Sequence, residues 1–487
     1  MKVAFVTPAS DLHKSLVYRL GHLAYEPSNS ISGPLILGKI LVNAGHSVSA
    51  YEELYQKLPL KKILESDVIG ISTMTSTAPR AYELADFFRA QGKRVIMGGF
   101  HASSMPEESL LHCDQVLVGE VENVIRDVVE GVITKNIVRC EPVENMDVIP
   151  FPDYSLLKTP VKIANFITSR GCTHKCSFCT TTRMFHPHRS MSPERVIEAI
   201  RYFRGQGFER VNIQDDNFTA DKNRAKRILR MIIQNDLMFK ETFFFGRIDI
   251  ANDEELLMLL KQAGFKIVLV GMESTNPDAL EKINKRQTAQ HVYLNAKKLT
   301  DAGMKLSASI ILGLDGDTPE TIKKTADFCN NIGAYSLQMP ILTPFPGTPL
   351  YRQLEMENRI LPVGWEYFDM MHAVYRPENM SPYSLQKLFT TLLLGFYSFA
   401  SVGVVLHRWG FREAVKRFIL AFSLRLGALF LILQERNFIK VLKSHKQFTR
   451  SEINPGRIGK NIQRKKGFRI NVLTCSEDKI EEPAEAL

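Results

Sequence analysis

The sequence predicts an α/β protein with two parallel-sheet units, an N-terminal doubly wound sheet and a (βα)6-type partial barrel, followed by a helical C-terminal region. Three observations predict it. Short apolar runs alternate with helix-like stretches over residues 1–135, and alternation at that spacing builds parallel sheets. A stretch at 136–160 punctuated by Pro142, Pro150, Pro152 and Pro160 reads as a linker. A second alternating series over 161–351 contains six strand-like runs, enough for a partial or complete parallel barrel.

In the first series the strand candidates are Val3–Thr7, Ser47–Tyr51, Val68–Ser72, Arg94–Met97 and Gln115–Val118. Helical patterns lie near Leu35–Asn43, Ala78–Ala90, Glu107–Leu111 and Val121–Glu130. Doubly wound folds bind ligands beyond the carboxyl ends of their strands. Three such ends carry small or polar residues: Gly70 with Ser72 and Thr73, Gly98-Gly99-Phe100-His101, and Gly119-Glu120. Taken singly, each glycine reads first as turn geometry.

The second series has strand candidates at Ile163–Thr168, Arg210–Gln214, Thr242–Phe245, Ile267–Val270, Leu306–Leu312 and Ser336–Leu342. Ser192-Pro193-Glu194 is a helix start, with a capping hydroxyl before a first-turn proline. Residues 352–470 read as helical, apolar and basic, and 471–487 as a disordered acidic tail.

The net charge of +10 is unevenly placed, because residues 408–469 hold sixteen Lys+Arg against three Glu. The basicity therefore belongs to the C-terminal region and not to the two sheet units. Phe389–Leu406 is an 18-residue run without a formal charge, and Phe418–Leu433 is apolar apart from Arg425 and Ser423. A membrane span needs about 20 apolar residues, and Thr390, Thr391, Ser398, Ser401 and two glycines dilute the first run. The expectation is either buried helices capping the barrel or a membrane-surface hairpin over 389–443 with basic flanks. A spanning anchor ranks behind both. Seven cysteines in 487 residues form no disulfide framework, which points to a reducing cytosol. The opening Met1-Lys2-Val3 runs straight into a strand-like segment, so no secretory signal is expected.

Three cysteines carry the chemistry. Cys172, Cys176 and Cys179 are spaced C-x3-C-x2-C just after an apolar run. A structural zinc site closes its sphere with four ligands. Three thiolates on a cubic iron–sulfur cluster leave one iron open for a substrate or cofactor. A zinc site that recruited His174 would require that residue to fold back on its own loop.

This spacing, in a loop after the first barrel strand, resembles the radical S-adenosylmethionine (SAM) enzymes. The resemblance extends to Gln214-Asp215-Asp216-Asn217, Gly246-Arg247-Ile248-Asp249 and Gly271-Met272-Glu273-Ser274 at later strand ends. It implies a [4Fe–4S] cluster on Cys172, Cys176 and Cys179, with SAM held by Asp215, Asp216, Arg247 and Glu273. Reductive cleavage of SAM would then generate a radical able to functionalise an unactivated carbon.

The N-terminal unit is similar to the Rossmann-like cobalamin-binding domain that precedes the barrel in the branch of anaerobic magnesium-protoporphyrin cyclases and hopanoid methylases. Gly98-Gly99-Phe100-His101, Pro106-Glu107-Glu108 and Gly119-Glu120-Val121-Glu122 carry that likeness. It implies cobalamin contacts at Ser72, Thr73, Gly98, Gly99, Gly119 and Glu120. Asp11-Leu12-His13 is a partial match to a cobalt-ligating D-x-H-x-x-G motif and lacks the glycine.

The implied activity is methylation of a lipid, isoprenoid or tetrapyrrole substrate, with radical cyclisation, oxidation or C–C coupling as the alternative. Ferredoxin or flavodoxin would supply electrons. The expected location is cytoplasmic, peripheral to the inner face of the cell membrane. A nucleic-acid-modifying enzyme fits poorly: Cys113 and Cys140 form no second cysteine set, and the C-terminus is helical and apolar.

Overall fold

The N-terminal sheet contains β1 (Lys2–Thr7), β2 (Ser47–Glu52), β3 (Val68–Ser72), β4 (Arg94–Gly98), β5 (Gln115–Val118) and β6 (Ile137–Arg139). Their order is β2-β1-β3-β4-β5-β6, with every pairing parallel. The order reverses between β1 and β3, which opens a crevice at the carboxyl ends of the strands. The computed structural model describes residues 1–10, 31–159, 161–283, 285 and 287–452. The Asp11–His13 motif, Cys475 and the expected tail at 471–487 lie outside the described residues.

β6 falls inside the segment read as a linker. Its three residues pair with Val116–Val118 of β5 at the sheet edge, so the sheet runs past residue 135.

The second sheet contains β7 (Ile163–Phe166), β10 (Arg210–Ile213), β11 (Glu241–Gly246), β12 (Phe265–Glu273), β13 (Lys305–Ile310) and β14 (Ser336–Gln338). All are parallel and neighbour one another in chain order, which is the wall of an open barrel. β8 (Ser169–Arg170) and β9 (Arg189–Ser190) form a separate two-stranded antiparallel hairpin. The helix Pro193–Gly205 shows why the barrel layers form. Ser192 caps it by accepting from the Arg195 amide, and Val196, Ile197, Ile200 and Phe203 are buried at helical spacing. Phe166, Phe203, Phe218, Phe244 and Phe265 are fully buried in the barrel core.

The C-terminal region folds as Pro382–Phe396, Phe399–Trp409, Phe411–Gln434 and Arg436–Ser444. Leu385, Leu388, Phe389 and Phe396 of the first of these are buried. Among the described residues no single helix is long and apolar enough to cross a membrane. One pair, Pro382–Phe396 and Phe399–Trp409, has the composition but is bent by 46°.

Candidate active site at the junction of the two sheets

The β8–β9 hairpin closes the neck of the loop that carries Cys172, Cys176 and Cys179. Gly171 opens that loop at φ 79°, and a Cβ there would collide with the Phe185 carbonyl. Only glycine lets the two arms of the neck approach so closely. The three thiols are half-buried. Burial pushes the Cys172 thiol up, and it does the same for Cys176 against the opposing charge of Lys285. A bound metal would have to displace those protons. Among the described residues no His, Cys, Asp and Glu side chains converge on a single-ion site, and His174 is exposed. Thiolates that each hold a different iron of a cluster do not need to converge.

The two aspartates at the end of β10 have different surroundings. Asp215 is fully buried and accepts from the Thr168 amide at 2.5 Å, the Thr168 hydroxyl at 2.5 Å and the Ser169 hydroxyl at 2.8 Å. It braces the β10 end against the root of the cysteine loop, so any part it plays in holding SAM would be through that loop. Asp216 accepts from Thr181 and the Gly171 amide, both on the cysteine loop, and burial pushes its carboxyl up to about 6. Arg247 follows β11 and is partly exposed, with its Nε 3.7 Å from Asp249. Its charge reaches both Cys172 and His174.

Glu273 ends β12 at φ 60°, where the β12–β13 register slips between Gly271 and Glu273. Its carboxylate accepts from Lys285 Nζ at 2.6 Å, and Lys285 also reaches the Gly271 carbonyl at 2.6 Å. Sequence reasoning missed Lys285. It sits in a loop twelve residues beyond its partner, and nothing local marks it.

Two cavities meet at these residues. The larger has a volume of about 410 Å3, and Ser72, Gly98, Gly99, Gly119 and Glu120 line it. Small-molecule pockets usually occupy about 300–1000 Å3, and this one falls within that range. Gly99, at φ 99°, leaves no room for a Cβ, which would stand 2.6 Å from the Thr73 carbonyl. Thr73 itself lies behind the wall. It is buried, donates to the Gly98 carbonyl at 2.9 Å and accepts from the Ala102 amide at 3.1 Å. It supports the glycine loop instead of lining the cavity. The Nε of Arg170, also on this wall, is buried without a partner in the structure. An unsatisfied buried donor is available to a ligand. The smaller cavity, about 280 Å3, runs over the barrel strand ends and is lined by Asp216, Glu273, Phe178 and Met370 among others. Asp216 lines both cavities.

Glu120 has a second role that its glycine neighbour does not announce. It accepts from Arg170 Nη1 at 2.7 Å, Arg189 Nη2 at 2.5 Å and the Val143 amide at 3.2 Å, while Arg170 Nη2 reaches Glu122 at 2.5 Å. Burial alone would raise the Glu120 carboxyl. The Arg189 hydrogen bond and the Arg170 charge outweigh it and hold the group below its ordinary value. The loop after β5 is thereby fastened to both strands of the hairpin under the cysteines. A Glu120→Gln variant is expected to lose roughly 2 kcal/mol of stability, the scale of a charge-assisted bond. Chemical denaturation read by circular dichroism checks it.

Comparison with known proteins agrees with this architecture. The Radical SAM superfamily model matches residues 166–329, and the B12 binding domain model matches 33–129. The chain is a radical SAM enzyme with a B12 binding domain ahead of its barrel. Both domains are thus present in one chain, and its cofactors are a [4Fe–4S] cluster, SAM and cobalamin. It is 29% identical over 394 residues to an uncharacterized methyltransferase of Pyrococcus horikoshii, covering 73% of this chain and 85% of the relative. It is 26% identical over 353 residues to a bacteriochlorophyllide d C-12(1)-methyltransferase of Chlorobaculum tepidum, covering 69% and 76%. The structure of the cobalamin-dependent SAM radical enzyme OxsB, with aqua-cobalamin and SAM bound, shares the fold. It superposes with a TM-score of 0.64 at 15% identity, covering 91% of this chain and 78% of that one.

Proposed function

We propose that this protein transfers a methyl group to an unactivated carbon of a hydrophobic substrate, of the lipid, isoprenoid or tetrapyrrole class. The observation that carries this reading is the shared wall. A group seated in the large cavity and one seated over the barrel strands would both touch Asp216. In this reading Cys172, Cys176 and Cys179 hold the cluster, and Asp216, Arg247 and Glu273 take the polar groups of SAM. Ser72, Gly98, Gly99 and Gly119 present backbone and a hydroxyl to the corrin, with Thr73 supporting them. When bound, these cofactors supply the one-electron cleavage of SAM and a transferable methyl group. The chain's own contribution is to position and to exclude water. Arg247 offers a charge partner for a carboxylate. Lys285 fixes the Glu273 carboxylate, and Phe178, Ile311, Leu342 and Phe345 close the smaller cavity with apolar surface.

The tetrapyrrole named for the Chlorobaculum relative supports a large, apolar substrate. Such a molecule favours a cytoplasmic enzyme peripheral to the inner face of the membrane, with electrons drawn from ferredoxin or flavodoxin. The test is an anaerobic incubation of reconstituted protein with methyl-labelled SAM and lipid and pigment extracts. A labelled product with S-adenosylhomocysteine is expected. A modified product that carries no label would mean cyclisation, oxidation or coupling and would overturn methyl transfer.

A further inference from the structure

The helix Phe411–Gln434 has two apolar faces, and among its described side chains only one is covered. Ala414, Arg417, Leu420 and Ala421 are buried against the rest of the chain. Phe411, Val415, Phe418, Ile419 and Phe422 are exposed by 76%, 41%, 51%, 42% and 51%. Their spacing, i, i+4, i+7, i+8 and i+11, places them in one stripe. The preceding helix adds Phe399, Val404 and Leu406, all exposed. The Phe399 and Phe418 rings lie 5.4 Å apart, which joins the two sets. Single exposed apolar residues need no explanation, but a contiguous patch does.

The charge along this helical span is almost all of one sign, although Glu209 and Glu241 of the barrel lie near Arg412 and Lys416. Between Pro382 and Gln434 the only acid is Glu413. It is neutralised by Lys305 at 3.3 Å and Lys416 at 3.2 Å and takes the Tyr335 hydroxyl at 2.5 Å. Lys387, Arg408, Arg412, Lys416, Arg417 and Arg425 lie in the same span, with Arg408 and Arg412 exposed. A twofold contact between two copies would set these cationic rims against each other. An anionic lipid surface complements them.

We infer that this stripe lies in the plane of an anionic phospholipid bilayer, with Phe411, Phe418 and Phe422 in the acyl boundary and Arg408 and Arg412 at the headgroups. This names the surface behind the peripheral location proposed above. It takes its purpose from the hydrophobic-substrate reading, while its geometry stands apart from that reading.

The experiment is co-sedimentation of the full-length, cofactor-loaded protein with phosphatidylcholine vesicles, with and without phosphatidylglycerol. The unaltered protein is expected to pellet with the anionic vesicles and to be released by salt. A Phe418→Glu/Phe422→Glu variant is expected to lose about tenfold or more of that binding, because each 1.4 kcal/mol is a factor of ten. Its iron and corrinoid contents should stay unchanged, which shows that it has folded. Arg412→Glu should weaken binding in low salt only. No difference between the two vesicle types, or undiminished binding by the double variant, overturns the inference. So does a stable dimer of the unaltered protein that ignores vesicles and becomes monomeric in the variant. Methyl transfer to detergent-solubilised substrate is the separate readout. If it survives while vesicle binding is absent, the docking surface fails and the catalytic reading stands.

Discussion

Replacing Cys176 with Ala is expected to leave anaerobically reconstituted protein without its cluster absorption and to reduce SAM cleavage to background. Cys172→Ala and Cys179→Ala should do the same, because in the proposed assignment each thiolate holds a separate iron and two cannot retain a cubic cluster with an open corner. The controls sharpen the result. His174→Ala should leave iron content and SAM cleavage in place, since His174 is exposed and converges with no other ligand on a single ion. Cys113→Ala and Cys329→Ala should also be harmless to the cluster. Burial pushes both of those thiols up to about 12, which keeps them protonated and inert. Iron and zinc analysis with quantitation of 5′-deoxyadenosine reads all six variants. Retention of iron in Cys176→Ala would refute the ligand assignment.

The second large effect is expected far from the cysteines. His372 is buried between Asp369, 2.9 Å from its Nδ1, and Glu435, 3.0 Å from its Nε2. Burial would depress the imidazole, but the charge of Asp369 and the hydrogen bonds to both carboxylates push it up to about 10. The Tyr367 ring stacks on Phe438 beside it at 4.4 Å. This cluster fastens the helix Arg436–Ser444 to the segment containing Met370, which lines the smaller cavity. A His372→Gln variant leaves two buried carboxylates uncompensated and is expected to lose about 3–5 kcal/mol at neutral pH. The pH dependence follows from the raised value. The imidazolium contributes in full below its ordinary value of about 6.5, and that stability is lost as pH rises through about 10. The stability gap between the two proteins should therefore narrow from pH 7 to pH 10. A gap that widens with pH would contradict the charged state of His372.

Much of the fold was legible because parallel strands are short apolar runs at regular spacing. All six barrel strands lie where the alternation put them. β6 escaped because Ile137-Val138-Arg139 is too short to show a period, and its place at the sheet edge comes from pairing with β5. The β8–β9 hairpin escaped because two residues a side carry no pattern. Its existence depends on Gly171 and on the Arg170 and Arg189 bonds to a distant glutamate. The sequence did hold a clue to the aspartate pair. Val211, Ile213 and Asp215 share one parity and all are buried. A period of two thus sends Asp215 inward and Asp216 the other way. The C-terminal helices resisted reading for another reason. Phe411–Gln434 is apolar on two sides, and composition alone does not say which side meets the barrel.

The Glu120 carboxylate has a thermodynamic consequence. One side chain of the loop after β5 grips both strands beneath the cysteine loop. A change in the position of one loop therefore strains or relieves the other, and any effect of one cofactor's loading on its neighbour would pass through this carboxylate. Linkage makes that influence reciprocal. Whatever factor cluster assembly adds to corrinoid affinity, corrinoid must add to cluster retention.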